Sequence, residues 1–498
     1  MAIARTLARH DALFIFDRID PKPRVMRLGL SLLAATTPVR DKGGVPGERL
    51  ARALQALGPT FIKLGQALAT RPDLVGVETA QALTTLQDRL PPFPSEEARQ
   101  VIEADLRAPM DRLFRRFEDT AVAAASIAQV HFAETVGGQA VAVKVLRPGI
   151  EDAFARDLAT FRWAAQKLER YQPAMRRLRP KDVVDTFAET VAMELDMRFE
   201  AAAAAQLKEN MADQPGFGVP AVIWPLTSRR VLTLERVTGI PLGNRQALLD
   251  AGLDLKALAG EVVRAFLHQA LYDGFFHADL HQGNLFATLD GKVVAVDFGI
   301  MGRLDPTTRE VFAEILYGFL TRNYERVADV HFRAGYVPAD QSRAKFAQAM
   351  RAIGDPIAHR PLKEISLADL LGQLLATTAT FAMQTQPQLL LLQKTMVMVE
   401  GVAYSLDEDV NMWALSAPVI EGWISAHMSP LHRLRTAGET LQQLARRLPE
   451  AVAALDDYLN ALKNPPASPP PPPSRTAPFL WALAGGLLAA LAVTAMLH

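Results

Sequence analysis

The chain has 498 residues, of which 49% are hydrophobic, so it can bury more than one core and is expected to divide into two or three units. Lysine plus arginine equals aspartate plus glutamate at 54 each, which lends no support to nucleic-acid binding. There is no cysteine, so disulfides, thiolate catalysis and thiolate metal sites are excluded, and a reducing compartment is favoured.

In chain order, the first apolar stretch, ALFIF, is bracketed by Asp11 and Asp17, and no signal peptide is expected there. Residues 1 to about 115 read as helical, broken by an extended PPFP at 91–94. ASIAQVHFAE and AVAVKVL, separated by the turn-like TVGG, read as a β-hairpin. Alternation points Val141, Val143 and Val145 to one face, and Ala142, Lys144 and Leu146 to the other. Residues 151–212 return to helix, and RRLRPK at 176–181 reads as a solvated face. RVLTLERV at 230–237 is a strand ended by Gly239 and Pro241, and residues 244–275 are helical. The polar HADLHQGNLF (277–286) follows, with short strands NLFATL and KVVAVDF around DGK.

From 305 to about 462 the chain reads as helical; QLLLLQKTMVMVEGVAY is apolar, but Lys394 and Glu400 make it a core helix. The leucine-rich stripe of 441–464 is expected to dock on the body, and a proline-rich linker spans 465–477. Residues 479–497 carry no charge over 19 positions, long enough for a spanning helix, so 478–497 is expected to be a transmembrane anchor. Arg475 precedes it and only His498 follows, which leaves the body cytoplasmic under the positive-inside rule.

Asp279, five residues on Asn284, then a short hairpin to Asp297-Phe-Gly, is the layout of a kinase-type catalytic loop and metal loop. A triphosphate needs Mg²⁺, and Mg²⁺ prefers hard oxygen donors. Asn284 offers an amide oxygen and Asp297 a carboxylate, while Asp279 offers a second carboxylate to orient or deprotonate an attacking hydroxyl or water. His277 and His281, four apart, admit a zinc reading, but no third ligand of zinc type is evident. On one helix, Asp196 and Glu200 would repel at their four-residue spacing, so a positive partner is expected: Lys144 for Glu200, and Lys63 or a metal for Asp196. The alternative is an exposed face in which Glu194 pairs with Arg198.

Six short motifs carry a resemblance: KLGQ (63–66), AAAS (123–126), VAVK (141–144), ELDMRFE (194–200), HADLHQGN and DFG. With these the chain resembles the UbiB family of atypical protein kinase-like proteins, which support ubiquinone biosynthesis, over roughly residues 20–440. The resemblance implies an α+β, protein-kinase-like two-lobe fold with a small β-rich N-lobe, a larger helical C-lobe, an N-terminal helical extension and a C-terminal transmembrane helix. On this division residues 1–115 form the extension, 116–240 the N-lobe with inserted helices, 241–440 the C-lobe and 441–464 an amphipathic segment before the linker and anchor.

The resemblance further implies that Lys144 contacts the α- and β-phosphates with Glu200 as its helix partner, that Asp279 is catalytic, and that Asn284 and Asp297 hold the metal. Ala123, Ala124, Ala125 and Ser126 stand where typical kinases have a glycine-rich loop, and alanine keeps backbone amides from approaching phosphate as closely as glycine does. Ala125 is expected to tune nucleotide preference, and Glu235 is placed with the nucleotide-binding residues. Lys63, Gln66, Glu194 and Asp196 are implied to occlude the place where a kinase receives a protein substrate. Prolines commonly stand in the family where Leu280 and Gln282 do here, and only one of its frequent two spans is found.

The implied cofactors are ATP and Mg²⁺. Membrane lipids, quinone precursors, other ubiquinone-biosynthesis proteins and a second copy of the chain are the implied partners, with no nucleic acid. The implied location is a bacterial-type inner membrane, with the body cytoplasmic. A membrane-anchored ATPase or phosphotransferase is the leading reading. A small-molecule kinase and a non-catalytic nucleotide-binding scaffold are the alternatives.

Overall fold

Helices come first. The computed structural model describes residues 2–14, 43–69, 75–83, 90–171, 179–358 and 387–427, with isolated positions between them. Helices α1 (Ala2–Arg9), α2 (Pro46–Leu57), α3 (Pro59–Ala69) and α4 (Val77–Leu83) bury apolar stripes such as Leu50, Leu54, Phe61, Leu64 and Leu68 against one another. The PPFP segment is extended, as expected, and α5 (Ser95–Leu106) follows it.

The next strands are β1 (Phe114–Phe117), β2 (Ala123–Ala124), β3 (Ala128–Thr135) and β4 (Ala140–Leu146). β3 and β4 are the expected hairpin, joined by a turn in which Gly138 holds φ +83°, open to glycine at no steric cost. Helices α6 (Ile150–Tyr171), α7 (Pro180–Glu194) and α8 (Met197–Asn210) are inserted before β5 (Phe217–Gly218), β6 (Val231–Glu235) and β7 (Ile240–Pro241). The sheet runs in the order β1-β3-β4-β6, with β2 paired to β3, and is antiparallel throughout.

Its two faces are covered differently. Val141, Val143 and Val145 are fully buried in a cluster with Ala98, Val101 and Ile102 of α5. Leu146, Ala128 and Leu232 face the other way into the cluster of α2, α3, α6, α7 and α8, where Phe61 and Phe161 meet edge-on at 5.4 Å. The helical extension therefore backs the sheet rather than lying apart from it.

The larger lobe follows. Helices α9 (Arg245–Asp250) and α10 (Leu255–His268) replace the single helix expected over 244–275; Asp254 caps α10 by accepting from Lys256 and Ala257. A π-turn over Gln269–Asp273 leads to β8 (Phe275–His277), β9 (Leu285–Ala287), β10 (Val293–Ala295) and β11 (Met301–Arg303). One small sheet is ordered β5-β10-β9-β7, and β11 pairs with β8. Helices α11 (Pro306–Leu320), α12 (Tyr324–Arg333), α13 (Arg343–Ala358), α14 (Pro387–Leu406) and α15 (Met412–His427) complete it around Phe266, Phe276, Phe298, Phe312 and Phe346.

Gln388–Leu406 within α14 is long and apolar enough to cross a membrane by length and composition. Its Leu392, Met396, Val399, Val402, Ala403 and Leu406 are nonetheless buried in the core with α10, and Glu400 is buried among them. α14 is thus the core helix that Lys394 and Glu400 announce. The expected transmembrane run 478–497, the segment 441–464, the linker 465–477 and residues 176–178 of RRLRPK lie outside the described residues.

Candidate functional site

A lysine of the small lobe reaches across to the larger one. Lys144 lies mid-strand on β4, and Glu200 is in the first turn of α8; the ammonium reaches both glutamate oxygens, at 2.8 and 2.9 Å. The same ammonium lies 2.9 Å from Oδ1 of Asp297, which follows β10 in the other lobe. Burial alone would push the Lys144 pKa down, but the Asp297 and Glu200 carboxylates hold it above the ordinary lysine value. Lys144 in turn holds the Asp297 carboxyl well below its usual range. The two contacts differ in kind: Glu200 is 9% exposed, Asp297 50%. Asp297 also adopts φ +64°, a left-handed conformation that aspartate tolerates better than most residues.

The catalytic-loop segment is built around His277, fully buried on β8. Its Nδ1 accepts from the Asp279 backbone N–H at 3.1 Å, and its Nε2–H donates to the Val296 carbonyl at 3.2 Å. Burial lowers its pKa and keeps the ring neutral. With both nitrogens so engaged, His277 is a structural ring rather than a metal ligand. Asn284 is buried, and its amide donates to the Asp279 carbonyl at 3.0 Å, which leaves the amide oxygen as the acceptor it can offer. The Asn284 carbonyl accepts from Val296 N–H at 2.9 Å, so the loop is stitched to the strand leading to Asp297.

Two residues on α14 reach the same loop, and the sequence reading gave neither a role there. Lys394 Nζ lies 3.7 Å from Asp279 Oδ1, and the Thr395 hydroxyl, bonded to the Leu391 carbonyl at 2.9 Å, lies 3.3 Å from the Ala278 carbonyl. His281 Nε2 stands 3.6 Å from Asp279 Oδ2. The only signal in the sequence for Lys394 is a cation inside a nearly uncharged run.

The AAAS stretch forms β2 and the turn into β3. Ala123 pairs with Val130, and Val130 with Lys144, so the alanine edge lies in register with the lysine two strands over. Ser126 is buried. Ala125 N–H donates to the Ala128 carbonyl at 2.8 Å, and the Ala125 carbonyl accepts from Arg147 Nε and Nη2 at 3.1 and 2.9 Å. Arg147 also donates to the Pro91 carbonyl at 2.8 Å, and Gln129 exchanges hydrogen bonds with the Phe93 backbone, so the PPFP segment is tied to the alanine turn. Glu235 ends β6 half exposed, where it accepts from the Ala221 N–H at 3.2 Å.

The acidic motif is arranged differently from expectation. Lys63 pairs with Glu194 at 2.9 Å, and Gln66, three residues on in α3, is half-buried. Asp196 takes Arg198 and not Lys63 as its partner. It caps α8 by accepting from the Arg198 N–H at 3.1 Å, and the Arg198 side chain binds both its oxygens at 2.8 and 2.6 Å. The chain breaks from helix between α7 and α8, with Asp196 extended at φ −120°, so the repulsion expected between Asp196 and Glu200 on one helix does not arise. The structure therefore brings Lys144, Glu200 and Asp297 together, groups Asp279 with Asn284 beside them, and joins Lys63 to Glu194 on the N-lobe side.

These donors suit Mg²⁺ and a nucleotide. Among the described residues no cluster of three or more acidic or histidine side chains stands ready to enclose a metal. Mg²⁺ asks for less, since it keeps much of its shell as water and phosphate oxygen and takes one or two protein donors. The half-exposed Asp297 carboxylate and the oriented Asn284 amide fit that demand.

Residues 85–331 match the ABC1 atypical kinase-like domain, and residues 350–411 match the UbiB helical domain. The chain is 41% identical over 422 residues to the "Probable protein kinase UbiB" of Marinobacter nauticus, covering 84% of this chain and 77% of that one. It is also 41% identical over 413 residues to the protein of the same name from Azotobacter vinelandii, covering 82% and 77%. Among solved structures it is similar in fold to Rv3197 of Mycobacterium tuberculosis, determined in complex with erythromycin, with a TM-score of 0.51 at 24% identity over 74% of this chain and 93% of that one.

Proposed function

The chain belongs to the UbiB family of ABC1 atypical kinase-like proteins, and from that premise we propose that it turns over Mg·ATP between its lobes, with water or a small molecule as phosphoryl acceptor, in support of ubiquinone synthesis at a membrane. The observation that carries the reading is the shared ammonium: Lys144 of one lobe is bound at once by Glu200 and by Asp297 of the other. Such a cation, held in place by a buried carboxylate, is suited to the phosphate charge of a nucleotide. Mg²⁺, when held by Asn284 and Asp297, supplies neutralisation of phosphate charge.

Asp279 accepts the proton of the attacking hydroxyl or water and orients it. His277, through the Asp279 N–H, fixes the backbone from which that carboxylate projects. The Lys63–Glu194 ion pair, only 11% and 24% exposed, ties the KLGQ helix to α7, and this supports a small acceptor over a protein segment. Membrane attachment rests on the uncharged run 478–497.

The test is phosphate release by the purified, detergent-solubilised chain. Wild type is expected to release phosphate from Mg·ATP, and Asp297→Asn to lose at least about 100-fold; equal rates would remove catalysis. For the membrane, deletion of residues 465–498 is expected to move the protein into the soluble fraction, and retention on membranes would show another anchor.

A further inference from the structure

The catalytic loop is gripped from outside its own lobe segment. Lys394 and Thr395 are consecutive residues of α14, inside the stretch that matches the UbiB helical domain. Thr395 is fully buried; its hydroxyl donates to the Leu391 carbonyl of its own helix at 2.9 Å and lies 3.3 Å from the Ala278 carbonyl, one residue before the aspartate. Lys394 extends its ammonium to 3.7 Å from one oxygen of Asp279, while His281 stands 3.6 Å from the other. At 3.7 Å the contact is an ion pair rather than a hydrogen bond, so it steers the carboxylate without capturing it. The two side chains are 38% and 26% exposed, and an ion pair that open to water adds little to stability. A cation on the loop-facing side of an otherwise core-building helix therefore calls for another use.

Resting on the ATP-turnover reading above, we propose that Lys394 is a positioning residue for Asp279. Its ammonium and the His281 ring flank the carboxylate oxygens and steer the group toward one orientation at the rim, where it can accept the proton of the incoming hydroxyl or water. The helical domain thus supplies a part of the catalytic loop from more than a hundred residues away in the chain.

The experiment measures ATP turnover by the full chain in detergent for wild type, Lys394→Met, Lys394→Arg, Asp279→Asn and the double variant Lys394→Met/Asp279→Asn. Nucleotide affinity is read separately, by equilibrium binding of a fluorescent ATP analogue with Mg²⁺. Lys394→Met is expected to lower kcat about 10-fold or more with affinity unchanged within about twofold, because it disturbs proton transfer and not binding. Lys394→Arg is expected to recover kcat to within about threefold of wild type, since the charge is restored. In the Asp279→Asn background Lys394→Met should cost nothing further, because the two residues act as a unit.

Wild-type kcat for Lys394→Met, a loss confined to affinity, or the same fold-loss with and without Asp279 would each overturn the inference. Should the Met variant lose its thermal transition, Lys394→Gln gives the same readout with a polar side chain at this partly exposed site. A wild type no faster than Asp297→Asn overturns the ATP-turnover reading and this inference with it; a wild type that outpaces Asp297→Asn while Lys394→Met keeps pace with it overturns this inference alone.

Discussion

Glu200→Gln and Asp297→Asn each delete one negative charge next to the same ammonium, and the structure makes their costs unequal. Glu200 is 9% exposed and touches Lys144 Nζ with both oxygens, at 2.8 and 2.9 Å. Removing one partner of a buried pair costs about 3–5 kcal/mol when the other charge is left alone. Here Asp297 still holds the ammonium at 2.9 Å, and glutamine keeps one acceptor oxygen, so about 2–3 kcal/mol is expected. Asp297 is 50% exposed, where an ion pair contributes about 0–1 kcal/mol. Asparagine also accommodates the φ of +64° at that position, so Asp297→Asn should cost under about 1 kcal/mol. The assay is urea unfolding at pH 7.5, followed by the fluorescence of the five tryptophans, comparing midpoints at a common slope. Both variants should be inactive, but only Glu200→Gln should be clearly less stable. A Glu200→Gln protein as stable as Asp297→Asn would refute the assignment of the buried charge to the Lys144–Glu200 contact.

His331 is buried beside Phe346 with its pKa pushed down to about 4 by burial, so the neutral ring's contribution is complete above about pH 6.5 and is lost as pH falls toward 4. At pH 5.5 that loss is about 1.4 kcal/mol; melting at pH 7.5 and 5.5 should show a smaller acid shift for His331→Phe, and an equal shift would count against it. Arg147→Met frees the Ala125 and Pro91 carbonyls from their shared guanidinium, and ATP affinity should change about 3- to 10-fold; an unchanged nucleotide titration curve would show that the alanine turn holds itself. A Cβ at Gly302 would enter the Phe276 ring, so Gly302→Ala should destabilise by about 1–3 kcal/mol; a thermal melt at the wild-type temperature would contradict that packing.

Much of this was legible in the sequence where a local period carries the information. The β3–β4 hairpin announces itself by alternating valines around a glycine turn, and the three valines do face one core while Lys144 faces away. The strands β5, β7, β8 and β11 have two or three residues each, too few for any period to show, and they form only because neighbouring segments offer an edge. Asp196 was misread because the spacing to Glu200 was counted along one helix, although an aspartate preceding a helical run is also a cap signal. Lys394 was recognisable as an oddity in an apolar helix. Its neighbour Asp279 lies on a loop far away in sequence, and only tertiary packing brings the two together.

The His277 ring spans from the Asp279 N–H to the Val296 carbonyl, the residue immediately before Asp297. A flat, rigid heterocycle is in effect a ruler laid between the main chains of the two acidic residues. Their relative placement is then set by the width of imidazole and not by the suppleness of the loop. The floor that carries the two acidic residues is thus one piece, and the spacing between it and the small lobe at this point is read from one distance, Lys144 to Asp297.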